Sequence, residues 1–353
     1  MMRFDKYEWT AISIMASLFI LVGFIQGWSV SLVILNMCII SAIMTMGVNI
    51  SWGYAGVINF GVMGFLAMGG LAAVLVSYPP VKEAWHVGGS GLGISLVLLV
   101  ALVTAVYFIT KLVEKKSYKY WLNGLVIFFG LIIIRYFFLS ATDRIEEVDP
   151  ALAGFLGGAN LPIIFSWAVG GFFAGGVAFV IGKVALGLRS DYLAIVTLGI
   201  SEIVISVLKH EEWLSRGVKN VIGLKRPVPY EINLQTTDWF INMVTWFNSS
   251  KLNQIIDTDQ KQETLRNLVI DSSSLFVKLN YALLFFTVMI IIYYFANKAQ
   301  VSPWGRMMRA IRDNEVSANA MGKNIVKQHL IIFVIGAAIV GVAGAMLVTL
   351  DGL

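Results

Sequence analysis

Apolar residues in this chain gather into long runs, parted by short polar or glycine-rich stretches. A helix that crosses a bilayer needs roughly 20 mostly apolar residues, because each adds about 1.5 Å against a hydrocarbon core of about 30 Å. Nine runs fit: 10–27, 30–48, 56–77, 91–110, 121–139, 161–181, 191–208, 279–296 and 330–350. Seven carry no charge; the exceptions are 121–139, with Arg135, and 191–208, with Asp191 and Glu202. The first run is long for the core of a secretory signal, and no small-x-small cleavage site follows it, so it reads as a retained span. The pattern predicts an all-α, polytopic transmembrane bundle of about nine spans, one membrane domain over residues 1–353.

Composition supports this and excludes a soluble class. The chain is 58% hydrophobic and 13% charged, with a mean hydropathy of +0.79. Soluble domains carry about 25% charged residues, so half of the usual polar coat is missing. The net charge of +5 would point to nucleic acid in a soluble protein. Here the basic residues sit between apolar runs, where they set orientation instead.

Loop 111–120 holds four Lys and one Glu, whereas loop 140–162 holds Asp143, Glu146, Glu147 and Asp149 against Arg144 alone. The two flank one span, so the first is expected inside and the second outside. Alternation then puts the N-terminus, loop 182–190 and segment 297–329 in the cytoplasm. Segment 209–278 falls outside, as a small solvated external subdomain.

Three segments carry candidate chemistry. Residues 49–61, NISWGYAGVINFG, join two spans with almost no loop. Glycine and asparagine there can break a helix, and irregular backbone at membrane depth is tolerated only inside protein or along a water-filled path. A tight turn between two helices explains the composition equally well. Residues 189–208, RSDYLAIVTLGISEIVISVL, place Asp191 and Glu202 eleven residues apart, about three helical turns, on one face. Asp191 suits a helix cap. Glu202 lies within the span, where a carboxylate faces the bundle interior, a cavity or a partner. It serves either the translocation path or the register of a neighbouring helix.

Residues 302–322, SPWGRMMRAIRDNEVSANAMG, start a helix at Ser302-Pro303 and stop it at Gly322. Part basic and part small-apolar, this stretch suits docking on a soluble partner. On composition alone, a helix lying on anionic lipid suits it slightly better. The small-residue sets Gly171/Gly175 and Ala337/Gly341/Ala345 read chiefly as close helix packing.

Catalytic and metal chemistry find no carrier. His86, His210 and His329 are far apart, Cys38 is alone, and no nucleophile elbow, His-Glu-x-x-His or phosphate-binding loop occurs. The sequence predicts no enzyme, no metal and no cofactor. If transport here is driven by ATP, another subunit hydrolyses it.

At these segments the chain resembles the permease subunits of branched-chain (hydrophobic) amino-acid ABC transporters, specifically the longer of the two paired permeases. DYLAIVTLGISEIV (191–204), GYAGVINFG (53–61), GRMMRAIRDNEVSANAMG (305–322) and IIFVIGAAIVGVAGAM (331–346) carry the resemblance, in order, across most of residues 30–350. It implies a multi-pass protein of the bacterial inner (plasma) membrane. The implied partners are a second permease subunit, two cytoplasmic ATPase subunits and a periplasmic substrate-binding protein, with no nucleic acid.

It also implies that 302–322 is the coupling segment seated on an ATPase, which displaces the lipid-lying reading. Arg306, Arg309, Arg312 and Glu315 would then supply polar contacts, and Ala318 and Gly322 close packing. Gly53, Tyr54, Asn59, Gly61, Thr197 and Glu202 are the candidate substrate-path residues.

The chain departs from the family's usual pattern at Gly61-Val62, where Gly-His is common, at SRGVKNVIG (215–223), and in the length of 209–278. The family's further spans are expected beyond the position of Leu353. A permease for urea or short-chain amides is the alternative within the family. A subunit of an ion-translocating complex would need several charged residues at mid-membrane, and Glu202 alone qualifies.

Overall fold

A computed structural model describes residues 6–113, 116–149, 154–188, 190–217, 219, 221 and 223–351. Every regular element among them is a helix. The chain divides into two compact units: residues 1–73, 162–202 and 225–353 form the first, and 74–161 and 203–224 the second.

The elements run α1 (Lys6–Gln26), α2 (Trp28–Asn49), a π-helical turn (Ile50–Tyr54), α3 (Val62–Ser77), α4 (Lys82–Leu112), α5 (Lys116–Glu147), α6 (Ile164–Ala185) and α7 (Ser190–His210). Then follow α8 (Glu212–Ser215), α9 (Glu231–Gln235), α10 (Asp238–Phe247), α11 (Ser249–Leu252), α12 (Thr258–Val301), α13 (Pro303–Asp313), α14 (Glu315–Ala320) and α15 (Ile325–Asp351). Residues of α3 up to Ala73 and of α7 up to Glu202 belong to the first unit.

Eight helices among the described residues are long and apolar enough to cross a membrane, not nine. The run at 56–77 is the one that falls short. Residues 56–61 are spent on an irregular connection, which leaves 16 residues for α3. At about 1.5 Å each those residues reach roughly 24 Å, short of the hydrocarbon core.

The first unit is built around α15, which packs chiefly between α6 and α2. Small residues let it do so. A methyl group placed on Gly341 would overlap the Gly170 carbonyl and the Ala174 side chain. On another face, a methyl on Gly47 of α2 would sit 2.7 Å from the Gly336 oxygen. Ala337 and Ala345 are buried beside them. Lipid offers helices no hydrophobic drive to associate, so backbone approach supplies the contact. The packing role expected for these small residues is what α15 uses.

Gly341→Leu would have to push α6 away. Overpacking of this kind costs about 1–3 kcal/mol or more. The expected result is a lower thermal midpoint in detergent, read by fluorescence-detected gel filtration; an unchanged midpoint would refute the packing argument.

Polar clamps lock the same bundle. Trp167 Nε1 donates to Thr349 Oγ1 at 3.1 Å, and Thr349 Oγ1 donates to the Ala345 carbonyl at 2.8 Å. The Asn36 side chain donates to the Lys278 carbonyl at 3.0 Å, and Lys278 Nζ donates to Ser29 Oγ. The bonds of Trp167, Thr349 and the Asn36 amide nitrogen satisfy polar groups on buried side chains.

The 44 residues of α12 make a rod of roughly 66 Å, over twice the hydrocarbon thickness. Its polar first half therefore projects beyond any span. Asp257 caps it, accepting from the Asp259 N–H. There α9 and α10 close on it: Gln235 donates to Ser273 Oγ at 3.0 Å, and the Phe240 and Phe276 rings lie 5.6 Å apart. Leu234, Phe240, Val244 and Val269 are buried in one continuous apolar cluster with Ile39, Ile43, Trp167 and Tyr281, so this part shares the core of the bundle.

In the second unit α4 and α5 pair closely where Gly88 faces Ile145 and Gly91 faces Ala141. Both helices outrun their apolar runs, and Asp143, Arg144, Glu146 and Glu147 continue α5 rather than form a loop. The irregular stretch 154–161 is held by Ala159 N–H to Leu75 O and Leu161 N–H to Val76 O, both 2.9 Å. Trp213 N–H donates to Glu146 Oε1 at 3.2 Å.

Candidate functional site

The first unit brings together the three segments singled out in the sequence. At the end of α2 the helix widens into the π turn Ile50–Tyr54. The Asn49 side chain folds back over Gly53, in space that any larger residue at 53 would occupy. Gly56 then reverses the chain at φ +72°, a conformation that favours glycine. Gly56 N–H to Trp52 O (2.9 Å) and Val57 N–H to Ser51 O (3.1 Å) close the turn. A π-helical widening of this sort frequently marks a functional position within a helix.

Residues 57–61 run without helix, and Val57 and Asn59 are buried. The first N–H groups of a helix have no partner inside it. Here side chains supply acceptors both to the irregular run and to the first turn of α3. Asn59 Oδ1 accepts from Gly61 N–H at 2.9 Å. From α7, Thr197 Oγ1 accepts from Phe60 N–H at 3.2 Å and Ser201 Oγ from Gly64 N–H at 2.8 Å. Thr197 Oγ1 itself donates to the Ala194 carbonyl at 2.9 Å, which fixes its lone pairs toward Phe60. Gly61 lies so close to α7 that a methyl there would come 2.7 Å from the Thr197 oxygen. Thus Asn59, Gly61 and Thr197 come together, while Gly53 lies in the π turn beside Asn49 and Arg312.

Ser201, one turn beyond Thr197, and Asn49 belong to the same site, although neither was singled out. The hydroxyl at i+4 from Thr197 was the available signal for Ser201.

Two expected residues stand elsewhere. Tyr54 looks the other way, into an apolar cavity of about 430 Å³ shared with Ile50, Trp304, Met308 and Ile332. Glu202 is exposed and does not join Thr197 and Ser201, which are buried. The side chain of Asp191, and all of Arg189, lie outside the described residues.

The 302–322 segment is two helices rather than one. Ser302 caps α13, its Oγ accepting from Gly305 N–H at 3.3 Å, with Pro303 following at the first position. Asn314 is extended, ends α13, and caps α14 by accepting from Ser317 N–H at 2.9 Å. An asparagine offers its own helix cap, and this local bond outcompetes continuation. Gly322, at φ +76°, follows α14.

Gly305, Met308 and Ile311 form the buried face of α13, while Arg306, Arg309 and Arg312 are exposed. Met308 and Ile311 pack in one cluster with Ile50, Val57, Ile332 and Phe333. The apolar face is therefore consumed within the chain and is not free to lie in lipid. Trp304 Nε1 donates to Gln328 Oε1 at 3.1 Å and anchors α13 to α15. On α14, Glu315, Val316 and the following Met321 are exposed, and Ala318 is half-buried.

The two segments meet at Arg312. Its Nη1 donates to the Gly53 carbonyl at 2.7 Å, and its Nε and Nη2 donate to Asp313 Oδ1 at 3.2 and 3.1 Å. A polar cavity of about 730 Å³ opens beside them, lined by Gly56, Val57, Leu193, Glu315, Lys323 and His329 among others. Among the described residues no group of three or more His, Cys, Asp or Glu is placed to hold a metal ion.

Two curated relatives match part of the chain. The "High-affinity branched-chain amino acid transport system permease protein LivM" of Escherichia coli (strain K12) is 26% identical over 184 residues, which is 52% of this chain and 39% of that protein. The protein of the same name from Salmonella typhimurium is 26% identical over 182 residues, with the same coverage. The match thus spans about two fifths of each relative's length. No solved structure matches the chain. A family model described as "Branched-chain amino acid transport system / permease component" matches residues 30–352, in agreement with the resemblance read at 53–61, 191–204 and 305–322, so the chain belongs to that family of multi-pass ABC-transporter permeases and is a transport component, not an enzyme.

Proposed function

We propose that this chain is one of two permease subunits that carry branched-chain or other hydrophobic amino acids across a bacterial inner membrane, driven by separate ATPases. The observation that carries this reading is the meeting of the broken segment 49–61, α7 and α13 in one unit. Irregular backbone packed against helices, as at the buried Val57 and Asn59, is the form in which membrane proteins build a path. A short amphipathic helix pair beside it is the form in which motion enters. A periplasmic binding protein would deliver the substrate, and the ATPases would grip α14. Glu202, exposed on α7, then faces the second permease or the path between the two subunits.

In this reading the N-terminus and the 302–322 segment are cytoplasmic, and 209–278 is external. Residues 56–61 and α3 together complete a crossing that α3 alone is too short to make. Single-cysteine labelling tests the orientation, with Cys38 replaced by alanine. Gln260→Cys is expected to react with an impermeant maleimide in intact cells, and Ser317→Cys only after permeabilisation. The reverse pattern would overturn the orientation.

Substrate class is tested by uptake of labelled leucine, isoleucine and valine against labelled urea and acetamide, in cells carrying the chain and its partner genes. Uptake of the amino acids alone is expected. Uptake of urea or acetamide instead would move the chain to the amide branch.

A further inference from the structure

Three arginines recur at every third position of α13, and the same role on an ATPase surface suggests itself for all of them. Their surroundings differ. Arg306 turns back on its own helix start, its Nη1 donating to the Val301 carbonyl at 3.0 Å. The Arg309 side chain makes no hydrogen bond or ion pair among the described residues. Arg312 alone of the three reaches the broken segment, by the bond to Gly53 O.

Its aliphatic stem reaches the same place. The Arg312 Cγ lies 3.0 Å from where a Gly56 methyl group would be, so the stem packs on the bare glycine at the reversal of the chain. Asp313 takes one edge of the guanidinium through Nε and Nη2, which leaves Nη1 aimed at Gly53. A planar fork can serve two acceptors in fixed directions; an ammonium group cannot.

We propose that Arg312 is a positioning residue that carries displacement of the α13–α14 pair into the π turn and Gly56, and is not a docking contact for the ATPase. This rests on the reading of the chain as a permease moved by α14. The mechanics are those of a short lever. α13 has 11 residues and is held at its start by the Ser302 cap and the Trp304–Gln328 bond. A push on α14 therefore arrives at the far end, where Ile311 lies in the cluster with Ile50 and Val57 and Arg312 holds Gly53. Behind Gly56 the chain runs directly to Asn59, Gly61 and the α7 hydroxyls, so the displacement arrives at the break. Coupling needs a physical element that both sites bias, and this contact supplies it.

The test compares Arg312→Ala, Arg312→Lys and Met321→Asp in the complete transporter, purified through a tag on this chain and reconstituted in vesicles. Three quantities are read: ATP-driven uptake, the amount of ATPase subunit that co-purifies, and amide hydrogen exchange at 50–61 with and without a trapped nucleotide. For Arg312→Ala, uptake is expected to fall at least about fivefold, within the range of ordinary coupling free energies. The ATPase still co-purifies, and exchange at 50–61 no longer responds to nucleotide. Arg312→Lys keeps the stem and one donor and is expected to fall between. Loss of the ATPase from Arg312→Ala would make Arg312 a docking residue and overturn the proposal, as would undiminished uptake. Should Met321→Asp keep its ATPase, the reading of α14 as the gripped element fails instead, whatever Arg312 does.

Discussion

Removing both hydroxyls that α7 offers to the start of α3, in a Thr197→Val, Ser201→Ala double variant, is expected to lower uptake at least about tenfold while the protein still reaches the membrane. Valine keeps the shape of threonine, and alanine in place of serine adds no bulk. What is lost is two acceptors, for the N–H groups of Phe60 and Gly64. Each donor left without a partner costs about 1–3 kcal/mol when water cannot reach it. The helix start therefore rearranges, and the break beside it with it. Thr197→Ser restores the acceptor and is expected to transport nearly as the parent does. Faster amide exchange at 60–64 in the double variant would locate the effect. Equal uptake by the double variant and the parent would mean that the break is not on the working path.

The membrane class was legible because a bilayer imposes length and polarity on every span, and both are written in the runs themselves. The boundaries were less so. Run 279–296 gives no hint that its helix begins at Thr258, because the polar first half of α12 obeys helix propensity rather than the hydrophobic pattern. The run at 56–77 promised a full span, but its first residues are spent on the reversal at Gly56. No pattern of apolar residues records a left-handed glycine. Asn314 is similar. In sequence it sits within a stretch of helix formers, and only its side-chain bond to Ser317 reveals that one helix ends there and another starts.

The candidate site was legible as segments and not as geometry. Composition left 49–61 open between a turn and a broken path. The structure makes it a π turn, a reversal and a partly buried irregular run, held from α7. Arg312 looked like its two neighbours, since periodicity assigns all three to one exposed face. What separates it is contact with a residue 259 positions away in sequence, which no local pattern encodes. Glu202 taught the opposite lesson. A carboxylate in a span signals a polar neighbour; Glu202 is exposed, and among the described residues it makes no side-chain hydrogen bond or ion pair, which is why the proposed function turns it toward a second subunit.

The second large effect concerns α14. Val316 on α14 is 81% exposed and Met321, the residue that follows the helix, 80%, with Glu315 beside them; Asn314 caps the helix at its start. On the proposed reading of α14 as the element an ATPase grips, these open apolar side chains and the charge beside them form the docking face. The apolar face of neighbouring α13 is already buried against Ile50, Ile332 and Phe333, so lipid would have only this short stretch to hold. Replacing Val316 and Met321 together by aspartate puts two charges where a partner must exclude water. Anchors of this kind cost about 2–4 kcal/mol each when lost, so the ATPase is expected to dissociate from the purified transporter and uptake to stop. Charge reversal at the rim, Glu315→Arg, is expected to weaken association less and to make it more sensitive to salt. Pull-down of the tagged chain at low and high salt reads both effects. Retention of the ATPase by the double aspartate variant would place the docking face elsewhere, and binding of the parent chain's α13–α14 peptide to anionic vesicles would return the segment to lipid.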